Sequence, residues 1–217
     1  MLGREETTQA SIQVKRRIIK LARIAGTIGP VLFGGILLAL SVLEYDFMLG
    51  IGWRPAADPA GAWPSGLALG PYGAAQTANF VTSGFLLCLF ALGLHLEITT
   101  GRTSAAPGSL LLFVAGMAMA LLGFGTDPIE RAGPRSSHGL IHDSAFVVFV
   151  LAFLAALFLL WWGLRRDARW RGYARYTLAT GMLAVLLISL PGVAYYLFLV
   201  ALLAWIEVTA LRLWRPP

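Results

Sequence analysis

Charged residues are scarce in this chain and cysteine is nearly absent. Asp, Glu, Lys and Arg make up only 13% of its 217 residues, where a soluble domain carries about 25%. So little polar sequence remains outside the apolar runs that a separate soluble domain is excluded, and the chain reads as one domain. Cys88 is the single cysteine, which excludes an intramolecular disulfide and a cysteine cluster for metal. Lying between Leu87 and Leu89, it reads as a packing residue. Also missing are a glycine-rich phosphate loop, a G-x-S-x-G elbow and a haem-attachment sequence.

Apolar sequence fills the chain instead, at 58%. Windows long enough to cross a hydrocarbon core of roughly 30 Å, at about 1.5 Å per residue, recur along it. Six spans are predicted, over residues 24–43, 76–96, 109–125, 140–164, 176–190 and 193–213. Only Pro191-Gly192 separates the last two, which predicts a tight hairpin over one very long helix. The expected fold is all-α, a polytopic membrane helical bundle over residues 24–214.

Charge sets the expected orientation. Arg4, Lys15, Arg16, Arg17, Lys20 and Arg23 precede the first span, and Arg102 lies between the second and third. Arg165, Arg166, Arg169, Arg171 and Arg175 lie between the fourth and fifth, and Arg212 and Arg215 close the chain. Only Arg54, Arg131 and Arg135 fall on the other side, which by the positive-inside rule makes both termini cytoplasmic. The net charge of +6 then faces the anionic headgroups of the cytoplasmic leaflet and needs no nucleic acid to explain it. Residues 1–23 read as a basic amphipathic segment, with Val14, Ile18 and Leu21 at helical spacing, lying at the interface ahead of the first span. Glu5 and Glu6 in that segment make it a poor match to a cleaved signal.

Connections on the basic side are short. The first outer loop, residues 44–75, is long and rich in Gly, Pro and Trp, with Trp53, Trp63 and Tyr72 expected as interfacial anchors. Its middle, Ser65 to Gly70, is apolar enough to dip toward the membrane. The second outer connection, Asp127 to Asp143, holds two of the three histidines and three of the eleven carboxylates. In so apolar a chain it is either a hydrated, helix-capping loop or a site.

His138 and His142 are four apart and share one helix face. Ser137 is the expected N-cap, which puts both near the positive end of the helix dipole, where neutral imidazole is favoured. Asp127 is expected to end the third span, a poor place for a carboxylate unless it is protonated or faces Arg131, Arg135 or a metal. Asp127, His138 and His142 are therefore the candidate catalytic residues, through acid–base chemistry or as ligands of a divalent metal such as zinc with a fourth position open for water. Asp143 and Asp58 lie at the same face and are candidates for the same pocket. Glu207, inside the sixth span, is either a proton or cation site or a partner of His95, Arg102 or Arg175.

Asp58-Pro59, then Ser65-Gly66-Leu67-Ala68-Leu69-Gly70, Tyr72-Gly73, Gln76 and Asn79-Phe80 resemble the first outer loop and second span of one membrane family. So does Gly123-Phe124-Gly125-Thr126-Asp127-Pro128 running on to His138-Gly139-Leu140-Ile141-His142. The family is that named domain of unknown function 998, multi-pass prokaryotic membrane proteins. The resemblance implies a helical bundle in a prokaryotic cell (inner) membrane and brings no activity with it. It carries over Asp58, Ser65, Asn79, Asp127, His138 and His142 as motif positions, with Asp58, Ser65 and Asn79, beside Asp143, as expected substrate contacts. A looser similarity is to membrane hydrolases and receptors that hold zinc with Asp and His between helices, though His95, the third histidine, falls at the opposite face. Three readings stay open: an enzyme on a lipid or isoprenoid-like substrate at the outer leaflet, a transporter component, and a non-catalytic lipid-binding accessory protein.

Overall fold

The computed structural model describes residues 2–98, 105–128 and 133–214, with side chains from residue 9 onward. Arg102, Glu130, Arg131 and Arg215, and the side chain of Arg4, lie outside what is described. Helix α1 spans Leu2–Leu43 and is followed by the short α2, Tyr45–Gly50. Two 3-10 turns, Pro59–Gly61 and Ser65–Leu69, lead to α3, Gly73–Ile98. Then come α4, Ala106–Leu121, α5, Ser137–Leu164, α6, Arg171–Ile188, and α7, Ala194–Trp214. Among the described residues the fold is all-α, with one isolated bridge between Arg54 and Asp58 and no strand.

Among the described residues six long helices form a closed ring. Each of α1, α3, α4, α5, α6 and α7 packs on its neighbour in the chain, and α7 returns to pack on α1. Phe80, Phe90, Phe153, Phe198 and Trp205 fill the inside and are fully buried. The outward faces are apolar as well: Leu38 is 70% exposed and Val42 77%. A ring apolar on both faces suits hydrocarbon on the outside, as expected of an integral membrane protein.

Four helices, α1, α3, α5 and α7, are long and apolar enough to cross a membrane. Helix α4 is apolar but only 16 residues, about 24 Å at 1.5 Å per residue. Helix α6 has 18 residues and carries Arg171 and Arg175 in its first turns. The expected hairpin after α6 is present, turning at Gly192 with φ +67, a conformation glycine adopts without strain. The basic segment and the first span, expected as successive pieces, are one helix of 42 residues, because nothing between Leu2 and Leu43 stops it. Pro30 inside it removes one backbone bond and does not end it.

Small residues bring α3 and α4 together. A Cβ on Gly84 would meet the Ala120 backbone N and the Gly116 carbonyl oxygen, the latter at 2.7 Å, and one on Gly116 would meet Cys88 Sγ at 2.7 Å. Buried Cys88, as a packing residue, fills the space that Gly116 leaves and points its thiol at the Phe113 carbonyl. Elsewhere His95 Nδ1 and Ser109 Oγ, 2.9 Å apart, tie α3 to the start of α4.

The two ends of the ring differ in chemistry. At the arginine-rich end, Arg165 lies 3.6 Å above the Trp162 ring and Arg212 5.0 Å from that of Trp170, which keeps their stems on apolar surface. The Arg169 guanidinium, hydrogen-bonded to Asp167 in the α5–α6 turn, holds that carboxyl below its ordinary value. At the other end, the long loop is folded into the bundle. Trp53 and Trp63, expected as interfacial anchors, are buried instead, and only Tyr72 stays exposed. Trp63 donates its Nε1–H to Ser41 Oγ at 2.8 Å and meets the Tyr196 ring edge-on, so it is a loop-to-helix strut.

The Gly84 contact gives a direct test. Gly84→Leu forces a side chain into backbone and should cost at least about 1–3 kcal/mol. Gly35→Leu, where nothing lies within 4 Å, should cost far less. Thermal unfolding of the two variants in detergent reads the difference.

Candidate functional site

Helices α4 and α5 are joined by residues 122–136, and their facing ends close each other. The last carbonyls of a helix and the first N–H groups of the next have no intrahelical partner, which is costly away from water. Asp127 supplies the acceptors for α5: Oδ2 accepts from Ser136 N at 2.8 Å and Oδ1 from Ser136 Oγ at 2.6 Å. Ser136 Oγ in turn accepts from Gly139 N at 3.0 Å, so Ser136 is the N-cap, one residue before the expected Ser137. Asp127 packs against Gly139, where a Cβ would strike its carboxylate.

The histidines supply the donors for α4. His142 Nδ1 lies 3.0 Å from the Leu122 carbonyl and 2.7 Å from that of Phe124. His138 Nδ1 lies 2.7 Å from the Gly125 carbonyl. A carbonyl only accepts, so each Nδ1 carries its proton. The expected place of Asp127 at the end of a helix is therefore corrected, while Arg131 lies outside the described residues. Helix α4 ends at Leu121, six residues before Asp127, and the carboxylate faces the positive end of α5 instead. Arg135, one of its expected cations, pairs with Asp143 at 3.2 Å, both side chains about half exposed.

The fixed Nδ1–H leaves Nε2 of neutral His142 as an acceptor, and Ser65 Oγ lies 2.8 Å from it. Ser65 opens the second 3-10 turn of the long loop, 77 residues away in sequence. His142 is 3% exposed and its ring packs edge-on to Phe80. A serine hydroxyl, a histidine base and a third group that orients the base is the arrangement that activates a nucleophile. Here the third group is a pair of backbone carbonyls at a helix C-terminus.

Ser65 and His142 lie on the wall of an open recess of about 560 Å³, lined also by Asp127, Arg135, Asp143 and Tyr195. On its inner side Ser65 also borders a narrow apolar cavity of about 60 Å³, running between α1, α3, α5 and α7. Phe146 and Tyr195 likewise border both spaces.

The other expected contacts divide. Asp58 is exposed and caps the first 3-10 turn, accepting from Gly61 N at 3.1 Å. Asn79 is 1% exposed and donates to the Phe33 carbonyl and to Gln76 Oε1, each at 3.3 Å, while Gln76 donates to the Pro64 carbonyl at 3.4 Å. These amides hold α1, α3 and the loop carrying Ser65 in register, away from the recess lining. Among the described residues no three His, Cys, Asp or Glu side chains group as a metal set. Asp127, His138 and His142 do gather at one hairpin, but both Asp127 oxygens and one nitrogen of each ring already serve backbone and hydroxyl groups.

Sequence reading missed the Ser65–His142 pair, because no local pattern signals a contact between residues so far apart. Glu44 is 2% exposed, its Oε1 accepts from Tyr72 N at 2.6 Å and its Oε2 has no hydrogen-bond partner. The capping role predicts that Asp127→Ala costs about 1–3 kcal/mol, the desolvation of orphaned donors. Asp143→Ala, in a half-exposed ion pair, should cost under about 1 kcal/mol. Unfolding in mixed micelles compares the two.

No curated protein and no solved structure matches this chain. A family model does, over residues 33–214, most of the length and including both segments of the recess. The chain belongs to the family described as Protein of unknown function (DUF998).

Proposed function

We propose that this integral membrane protein is an enzyme acting on a lipid-like substrate at the outer leaflet of a prokaryotic cell membrane, with Ser65 as nucleophile and His142 as its base. On this reading all six long helices cross the bilayer and both termini are cytoplasmic, which puts the recess on the outer face. The observation that carries it is the 2.8 Å contact between Ser65 Oγ and His142 Nε2, in a ring whose other nitrogen is locked as a donor.

The chemistry that fits is acyl transfer. Ser65 Oγ attacks the carbonyl carbon of an ester while its proton passes to His142 Nε2. The imidazolium so formed lies against the Leu122 and Phe124 carbonyls, the negative end of α4, which favours the charge. The tetrahedral adduct collapses, the bond to the alkoxy oxygen breaks, and the leaving alcohol takes the proton from Nε2. Water or an acceptor hydroxyl then attacks the acyl-serine, giving up its proton to Nε2, and that proton returns to Ser65. Arg135 and Asp143 line the recess where the polar part of the substrate lies.

A transport reading needs a polar route from Glu207 to the recess. The cavity that adjoins the recess at Ser65 is walled by Phe149, Leu199 and Ile206, which does not favour it.

The test is labelling of the detergent-purified protein by a fluorophosphonate, with the modified peptide located by mass spectrometry. The adduct is expected on Ser65. Ser65→Ala should keep the wild-type melting profile and take no label, and His142→Ala should slow labelling by about 10²–10⁴-fold. An unlabelled wild type, or an adduct on another serine, overturns the assignment.

A further inference from the structure

Resting on the Ser65–His142 reading, we propose that the Tyr195 hydroxyl is a further catalytic group, the hydrogen-bond donor to the oxyanion that forms when Ser65 adds to an ester carbonyl. The attack places a negative charge on the carbonyl oxygen, and a fixed donor aimed at that charge is usually the largest single contribution to acyl transfer. His142 cannot supply it. Its Nδ1–H is held by the carbonyls after α4, and its Nε2 takes the Ser65 proton in the same step.

The donors nearest the nucleophile are committed elsewhere. Gly66 N donates to the Ala62 carbonyl at 2.6 Å and Leu67 N to that of Pro64 at 3.3 Å, so both N–H groups after Ser65 are used by the turn itself. On the recess wall, Trp63 donates its Nε1–H to Ser41 and Thr126 donates to the Asp127 carbonyl. Arg135 is drawn to Asp143 with its side chain half in water. Tyr195 differs from all of these. It is 6% exposed, yet among the described residues its hydroxyl makes no hydrogen bond, and the oxygen is not sealed inside protein. A buried tyrosine hydroxyl ordinarily finds a partner. This one opens onto free space, and the spaces that Tyr195 borders are the recess and the apolar cavity, which meet at Ser65.

The fold holds the phenol in place. Tyr195 is the second residue of α7, just past the turn at Gly192. That turn lies against the long loop, since a Cβ on Gly192 would meet the Ala56 carbonyl oxygen at 2.9 Å. The Tyr195 ring meets Trp63, two residues before Ser65, edge-on with centres 6.3 Å apart, and stacks on Phe198 at 6.2 Å. A ring gripped on two sides needs little reorganisation when charge appears, which is what makes such a donor effective. The phenol keeps its proton throughout, and the proton of Ser65 still passes through His142 to the leaving alcohol.

The experiment uses the full chain in lipid nanodiscs and compares wild type, Tyr195→Phe and, as a control on an exposed loop tyrosine, Tyr72→Phe. Phenylalanine keeps the ring and removes an unpaired hydroxyl, so the unfolding profile of Tyr195→Phe should match wild type. With 4-nitrophenyl butyrate its kcat should fall by about 10²–10³-fold with KM little changed, the loss that follows removal of one oxyanion donor. Tyr72→Phe should keep the wild-type kcat. Heptyl trifluoromethyl ketone, to which Ser65 adds to give a stable oxyanion, reads the same contact without turnover. Its inhibition constant should rise in Tyr195→Phe by a factor similar to the loss in kcat, which a packing role alone would not produce. Unchanged kcat and inhibition in Tyr195→Phe, with wild type labelled by fluorophosphonate on Ser65, overturn the Tyr195 assignment and leave the catalytic pair standing. Equal losses in the two variants overturn it as well. A wild type that takes no fluorophosphonate on Ser65 overturns the pair, and the role of Tyr195 falls with it.

Discussion

The closure of α4 against α5 is the constraint on which the rest of this structure depends. Asp127 and His142 are buried between the two helix ends, and a buried donor or acceptor left unsatisfied there costs about 1–3 kcal/mol. The chain meets this with a reciprocal arrangement, Asp127 accepting for α5 and two histidines of α5 donating to the carbonyls after α4. His142 cannot do this with both ring nitrogens. Its Nδ1–H is committed, so a structural need decides the tautomer, and the tautomer leaves Nε2 facing Ser65. The stabilising contact and the chemically interesting one are two ends of the same ring.

This also weighs against zinc at Asp127, His138 and His142. A metal there would have to draw the Asp127 oxygens away from Ser136 and His142 Nε2 away from Ser65. The first exchange reopens the start of α5. In space these residues serve as a pair of caps through Asp127 and the two Nδ1 atoms.

Much of the fold was legible because apolar runs are long and their punctuation is strong. Pro191-Gly192 marked the α6–α7 turn. The Asp127-to-Asp143 segment was legible as a place, since polar residues in such a chain must do something. Its wiring was not. Asp127 lies six residues beyond the end of α4, and a boundary error of that size reverses the dipole it feels. Trp53 and Trp63 were misplaced for a related reason, because aromatic content suits an interface and a loop core equally well. The partner of His142 came from the long loop ahead of α3, and nothing in a 77-residue separation announces it.

The buried amides explain why that distant pairing is nevertheless well defined. Asn79 grips α1 through the Phe33 carbonyl, Gln76 grips the loop through the Pro64 carbonyl, and Ser83 donates to Asn79 Oδ1 at 3.3 Å. Pro64 immediately precedes Ser65, so the chain of amides fixes the backbone that carries Ser65. Each bond is modest, about 0.5–1.5 kcal/mol net, but leaving any of these buried groups unpaired costs more than the bond contributes. Polar residues inside the ring therefore act as register pins. Their placement holds the Ser65 hydroxyl where a polar recess meets an apolar cavity.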